Sequence, residues 1–567
     1  MNKNRKIRRL TALFIGISMC LVILTSCRDG SNTEGTNTPT NTGTTDSANS
    51  GTEDTSNDQG TTVNPEKSGP PTALVEWVAP PAGARLADEV RIIMGNSAVG
   101  ILDPFNPASN NQESIQAMTM IYDRLLDISN DRELLPELAT SHQTDDWKTF
   151  TFTLREDVTF HNGEKFTAND VAWTVQAAND GIGSGAFDLW RNVETVNIVN
   201  DYTIQLTLSD VNVDFLFNLT RPMASICNEK AMKDNPEGGA MIGTGAFRVT
   251  EFASNDYIDM ERNDNWWNKD RMPVTERMHY CYVPEPGARS IMMRNGEYQF
   301  CYGIVPEDIP GFQADSNFTV LPNSFNAPQI LGFNLTDPLM ADKNFRLAVI
   351  YALDKDEIAL IAAGEWAYGD TESGQIWGLD TEFRNLDIPA YTYDPELAKE
   401  YLAASSYNGQ EVELATAIIT NIRASEAIHS QLADIGIAVK INSMDSPSFA
   451  VYTAYGNTQS QMFVQGANMS INAASARNVF TPGGGQNRFN YNNPEVTALF
   501  EEATRTPDLD ARSAKYYKIQ ELIVADALGT NILWRTGSLI SNANCRGIVL
   551  KAENERNDMR GLYYILD

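Results

Sequence analysis

From Val90 to the C-terminus, short apolar or period-two segments alternate with segments of helical spacing, which confines the chain to an α/β fold. The densest stretch is "DDWKTFTFTLREDVTFHNGEKFTANDVAWTV", Asp145 to Val175. Phe150, Phe152 and Leu154 share one face of a half-buried strand, and Val158 and Phe160 resume the alternation. His161-Asn162-Gly163 supplies a turn. Thr167 stands three residues before Asp170, a relative of the capping box, and Val171, Val175 and Ala178 follow at helical spacing. The segment holds definite architecture and no catalytic constellation.

The rest of the chain reads in the same way. "VRIIMG" (Val90 to Gly95) predicts a strand, and "SIQAMTMIYDRLLDI" (Ser114 to Ile128) predicts one helix with a stripe through Ile115, Met118, Ile121 and Leu125. "VNIVNDYTIQLTLS" (Val196 to Ser209) predicts a hairpin turning at Asn200-Asp201. Met241 to Trp267 predicts two strands running into a turn with Trp266 and Trp267. Phe345 to Gly364 predicts an amphipathic helix closed by glycine, and Asp394 is placed to cap another, with Pro395 at its first position.

The N-terminus sets the compartment. Lys3, Arg5, Lys6, Arg8 and Arg9 precede the apolar run Leu10 to Leu24, too short to span a bilayer comfortably and suited to a secretory signal. The run closes in Leu24-Thr25-Ser26-Cys27, which resembles the lipobox of bacterial lipoproteins. That resemblance implies a signal peptide over 1–26 and a diacylglycerol-bearing Cys27, which holds the protein on the extracytoplasmic face of the membrane. Residues 27–87, rich in Ser, Thr, Asn and Gly, are expected to form a disordered tether, with the folded part starting near Asp88.

Charge and motif content exclude several functions. The chain holds 43 basic and 74 acidic residues, net −31, and loses five of the basic ones with the leader. Such a surface argues against nucleic acid or anionic lipid as a partner. Without CxxC or HExxH spacing, no metal or cofactor is expected. Neither a GxSxG elbow, nor a Walker-type loop, nor GxGxxG after a strand is present, so an enzyme is not expected. Cys281 and Cys301 lie in two strand-like segments joined by a predicted helix, Gly287 to Arg294, and a right-handed βαβ unit that set them side by side would allow a disulfide.

Ten segments then converge on one family. "IYDRLLD", "LLPELATS", "TFTFTLREDVTFHNGEKFTANDVAWTV", "IGTGAFRV", "ERNDNWW", "NGEYQF", "FNLTDPLMADKNFRLAVIYALDKDEI", "YDPELAKEYLAASSY", "LADIGIAVK" and "YNNPEVTALFEEATRTPDLDARSAKYYKIQELI" occur in the order seen in it. Residues 88–567 resemble the extracytoplasmic solute-binding proteins of peptide, nickel and opine ABC importers. The resemblance implies an α/β, periplasmic-binding-protein-like clamp of two large lobes plus a smaller subdomain, with the ligand in the interlobe cleft and hinge closure around it. It assigns 88–118, 235–325 and 535–567 to lobe I, 119–234 to the subdomain packed on it, and 326–534 to lobe II. It implies a monomer that delivers its ligand to permease and ATPase subunits. In this frame Phe150, Phe152, Leu154, Val158 and Phe160 are core, His161 is structural, and Trp266 and Trp267 cap a core edge. Gly243 and Gly245 are expected to serve a turn needing positive φ.

By the same analogy Asn106, Ser109, Asn110, Asn326 and Trp377 face the ligand. Gln465, Asn468 and Arg477 come from "QMFVQGANMSINAASARNVFTPGGG" (Gln461 to Gly485), where many peptide-binding members carry an aspartate that pairs with the peptide's ammonium. Here Met462 to Gly485 holds no acidic residue. A buried ammonium without a carboxylate is costly, so the segment predicts a neutral pocket that Arg477 tips towards anions. Peptide is the leading ligand class. A neutral oligosaccharide or other polar solute is the alternative, and a sensor for a signalling receptor or an extracellular hydrolase are the readings of other classes.

Overall fold

The computed structural model describes residues 78–95, 98–109, 111–129, 131–181, 185–324, 328–371, 375–389, 391–467, 469–551 and 557–566. The leader, Cys27 and the tether up to residue 77 lie outside the described residues. The body begins earlier than composition suggests. Ala87 N donates to Tyr564 O at 2.9 Å and Leu566 N to Arg85 O at 2.8 Å, so the stretch before Asp88 is tied to the C-terminal segment.

The main sheet has twelve strands among the described residues. Its path runs Val439–Ser443, Val412–Thr416, Met462–Gly466, Gln329–Phe333, Gly529–Asn542, Phe300–Tyr302, Glu89–Met94, Arg277–Tyr282, Tyr257–Arg262, Phe247–Ala253. Phe318–Ser324 and Ala367–Gly369 also pair with Gly529–Asn542. A second, antiparallel sheet joins Ala139–Gln143, Thr149–Leu154, Thr203–Leu208 and Val193–Asn200. The period-two reading of 149–154 holds, with Phe150, Phe152 and Leu154 buried. Helix Ala168–Asp180 opens with the full capping box between Thr167 and Asp170.

Three apolar cores carry most of the packing. One runs from Val90 through Phe150, Trp190 and Phe247 to Leu562, uniting the second sheet with one half of the main sheet. Two others, around Phe345 and Ile428 and around Phe463 and Tyr516, fill the other half.

A buried ionic network lies in the first core. Arg124 forks onto Glu137, Nε to Oε2 and Nη2 to Oε1 both at 2.9 Å, and its own backbone N donates to the same carboxylate at 2.8 Å. Arg560 forks onto Asp558 at 2.9 Å through Nε and Nη2, and its Nη1 stands 3.7 Å from Glu137 and 3.8 Å from Asp123. Trp267 Nε1 donates to Asp123 Oδ2 at 2.9 Å and Trp266 Nε1 at 3.3 Å, so the paired indoles close this network at the core edge.

Four sequence expectations change. The helix expected to reach Ile128 ends at Ile121, and Leu126–Ile128 is a strand. Tyr122 is extended, which frees Asp123 and Arg124 to reach the network. The helix expected over 345–364 is two, Lys343–Tyr351 and Lys355–Ala363, because Asp354 caps the second by accepting from Glu357 N; Gly364 still closes it, at φ 60°. Gly243 and Gly245 do not adopt positive φ. They are glycines because the chain at Met120 and Ile121 passes against them, leaving no room for a Cβ. Finally, Cys281 and Cys301 are free. The strand Glu89–Met94 is inserted between theirs, and Ile93 faces both residues, so the thiols stand two strand spacings apart.

Candidate functional site

Strand Gly529–Asn542 belongs to both halves. Its first part pairs with Gln329–Phe333 and Ala367–Gly369, its last part with Phe318–Ser324 and Phe300–Tyr302. Where one strand passes between two cores, the other contacts between them are those a hinge would break and remake. They form a seam. Arg132 donates to Asp380 O, Val213 N donates to Thr504 O at 3.0 Å, Arg505 pairs with Asp210 at 2.6 Å, and Arg423 pairs with Glu307 at 2.5 Å.

Within the seam, Asn472 Nδ2 donates to Asp214 Oδ1 at 2.9 Å, and each residue is 8% exposed. Asn472 is free to do so because its Oδ1 caps the short helix Ala473–Ala476, accepting from Ala474 N at 2.7 Å. Asp214 Oδ2 and the buried Tyr516 hydroxyl have no hydrogen-bond partner. Burial pushes the Asp214 carboxyl above its usual range against the pull of Asn472 and Arg512, and burial likewise raises Asp380 and Glu382 against nearby arginines. An acid 258 residues away in sequence thus meets the segment Met462–Gly485, which has none of its own.

Further unsatisfied polar atoms lie at the carboxyl ends of the parallel strands Val412–Thr416 and Met462–Gly466; Thr416 stands opposite Val464, so its side chain and that of Gln465 point to opposite faces of the sheet. Gln465 is buried; its Nε2 makes a long contact of 3.4 Å to Gln486 O and its Oε1 has no partner. The buried Thr416 Oγ1 and Asn421 Oδ1 are unpartnered too. Buried polar atoms left without partners are the ones a bound polar solute can satisfy. Sequence reasoning named Gln465 and missed Thr416, Asn421 and Asp214. The carboxyl end of a parallel strand was the signal available for Thr416.

The other expected contacts divide. Asn110, Asn326 and Asn468 lie outside the described residues. Asn106 holds its own turn, accepting from Ala108 N at 2.9 Å, and the buried Ser109 hydroxyl donates to Ile101 O at 3.4 Å. Trp377 is 1% exposed, stacks on Phe480 and donates Nε1 to Glu382 O at 3.1 Å, so its indole is core and not a free platform. Arg477 pairs at 3.5 Å with Glu501, both side chains two-fifths exposed or more, while the cation acting on Asp214 is Arg512. Asp445 caps the helix Ser446–Tyr452, accepting from Ser448 N at 2.9 Å.

His161 is held by backbone: Nε2 donates to Gly245 O at 3.0 Å and Nδ1 accepts from Gly243 N at 3.2 Å. Both ring nitrogens are occupied, which leaves neither for a metal. No helix among the described residues is long and apolar enough to cross a membrane.

Residues 133–489 match the family model of "Bacterial extracellular solute-binding proteins, family 5 Middle". The chain belongs to this family. The glutathione-binding protein GsiB of Pectobacterium atrosepticum is 25% identical over 453 residues, 77% of this chain and 87% of that one. The ABC transporter substrate-binding protein CtaP of Listeria monocytogenes superposes with a TM-score of 0.75 at 21% identity, over 85% of this chain and all of that one. The periplasmic binding protein DppA of Helicobacter pylori, in complex with the peptide STSA, gives 0.73 at 22% identity, over 85% and 99%. The fold of this family 5 protein is therefore the α/β periplasmic-binding-protein clamp, and its family role is solute binding outside the cytoplasm.

Proposed function

We propose that this family 5 protein is a lipid-anchored receptor that encloses a peptide between its two lobes and hands it to the permease and ATPase of an ABC importer. The observation that carries this reading is the strand shared by both halves, in a sheet whose parallel strands end at the unpartnered buried polar atoms of Thr416 and Gln465. Peptide is favoured because main-chain amides match such mixed donors and acceptors, and because relatives include a glutathione-binding protein and a peptide-bound one.

Calorimetry with matched free and N-acetylated peptides tests the ligand. The two forms are expected to differ by less than about tenfold, roughly 1.4 kcal/mol, because Asp214 engages Asn472. A strong preference for the free amine would assign Asp214 Oδ2 to the ligand's ammonium. Tight binding of an oligosaccharide, with neither peptide form bound, would replace peptide by the alternative class.

Anchoring follows from the Leu24-Thr25-Ser26-Cys27 junction. Cys27→Ala should release the protein from membranes or leave it unprocessed; normal processing with full membrane retention would refute lipidation.

A further inference from the structure

Strand Arg277–Tyr282 carries His279 and Cys281 two residues apart, so both side chains stand on one face of the sheet. His279 lies opposite Asp259 on the neighbouring strand, with Nδ1 and Oδ1 2.6 Å apart. The Cys281 thiol donates to Tyr282 O at 3.8 Å, and His279 and Tyr298 are the groups that lower it. Carboxylate, imidazole and thiol therefore stand side by side on one face of the sheet. Cys281 is partly exposed and borders a small cleft with Met94, Val99, Asp256, Tyr257 and Tyr282.

The other described cysteines contrast with it. Cys227, Cys301 and Cys545 are buried, and burial pushes the thiols of Cys301 and Cys545 up to about 12. A buried apolar thiol is inert, whereas an accessible one beside a protonatable imidazole is the nucleophilic kind.

We propose that Cys281 is a modification site that reacts with low-molecular-weight disulfides by thiol–disulfide exchange. Imidazole, oriented by Asp259, takes the thiol proton. The Cys281 thiolate attacks one sulfur of RS–SR, the S–S bond breaks as the Cys281–S–S–R bond forms, and RS⁻ leaves and is protonated by solvent. One disulfide is consumed and one is made, so no further oxidant is needed.

The charges around the pair are mixed. Cys281 and then Asp259 support the imidazolium, burial and Arg91 oppose it, and Asp256 opposes the thiolate. Tyr298 lowers the thiol and accepts from Arg91 Nη2 at 3.5 Å. At Cys281 burial raises the thiol and His279 and Tyr298 outweigh it, so the net direction is downward.

The test mixes the folded mature protein with 5,5′-dithiobis(2-nitrobenzoate) across a pH series and locates the mixed disulfide by peptide mapping. One fast equivalent should map to Cys281 and vanish in Cys281→Ser. Its rate should hold up at lower pH than that of the same cysteine in urea. His279→Gln should slow it about five- to tenfold near pH 7, as for a thiol returned to its ordinary range. Asp259→Asn serves as the second variant, with the same direction and a smaller loss. A fast equivalent mapping elsewhere, a Cys281 no faster folded than in urea, or a profile unmoved in both variants would each overturn the proposal. None of these outcomes bears on solute binding, so its failure is distinguishable from failure of the receptor reading.

Discussion

Replacing Glu137 by alanine is expected to destabilise the protein by about 3–5 kcal/mol, the range for removing one partner of a buried ion pair. Glu137 accepts three N–H bonds from Arg124, and Arg560 stands beside it. Alanine leaves the Arg124 guanidinium, 4% exposed, without its fork. The burial that makes the loss large also limits what the intact pair contributes, since both charges were taken out of water to form it. Exchanging Arg124 and Glu137 together for apolar residues should therefore recover much of the single-variant loss. Urea unfolding monitored by the tryptophans reads both. A single-variant loss under about 1 kcal/mol would mean that water reaches Arg124, the range of an exposed pair.

Asp214→Ala is expected to weaken ligand binding about five- to hundredfold, with little change in the melting temperature of the ligand-free protein. The variant leaves the buried Asn472 Nδ2 unpaired, a defect of about 1–3 kcal/mol. That defect belongs to the closed form, because opening the seam returns both groups to water. A ligand that binds the closed form loses affinity in proportion to the closed population. Small-angle scattering should show the same variant more extended. An equal loss of melting temperature and affinity would instead make Asp214 a part of the fold as such.

The same group sets a pH direction for closure. Burial raises the Asp214 carboxyl where the seam is made, and Asp380 and Glu382 shift the same way with Arg132, Arg384 and Arg512 opposing. A carboxyl raised on closing binds its proton more tightly there. Its favourable contribution is full below the ordinary carboxylate range and is lost as pH rises through the raised value. Binding should strengthen on acidification from neutral pH until other carboxylates titrate.

Local pattern determined much of this protein. The alternation at Phe150, Phe152 and Leu154, the capping box at Thr167 and Asp170, and the hairpin over 196–209 are short-range features, readable wherever neighbours in sequence are neighbours in space. The order of the family segments likewise carried the fold, because each encodes its own element. Tertiary structure decided what depended on partners far along the chain. The helix after Gln112 stops at Ile121 because Asp123 and Arg124 are drawn to residues 137, 267 and 560. Gly243 and Gly245 exclude a side chain because the end of the helix Gln112–Ile121 passes there, not through their own φ. Cys281 and Cys301 stay apart because Glu89–Met94 is threaded between their strands, an order that the βαβ rule does not specify. Asp214 reaches Asn472 across 258 residues. No periodicity marks such a pair: it exists because two cores meet at one seam, and a carboxyl from one is folded against an amide from the other.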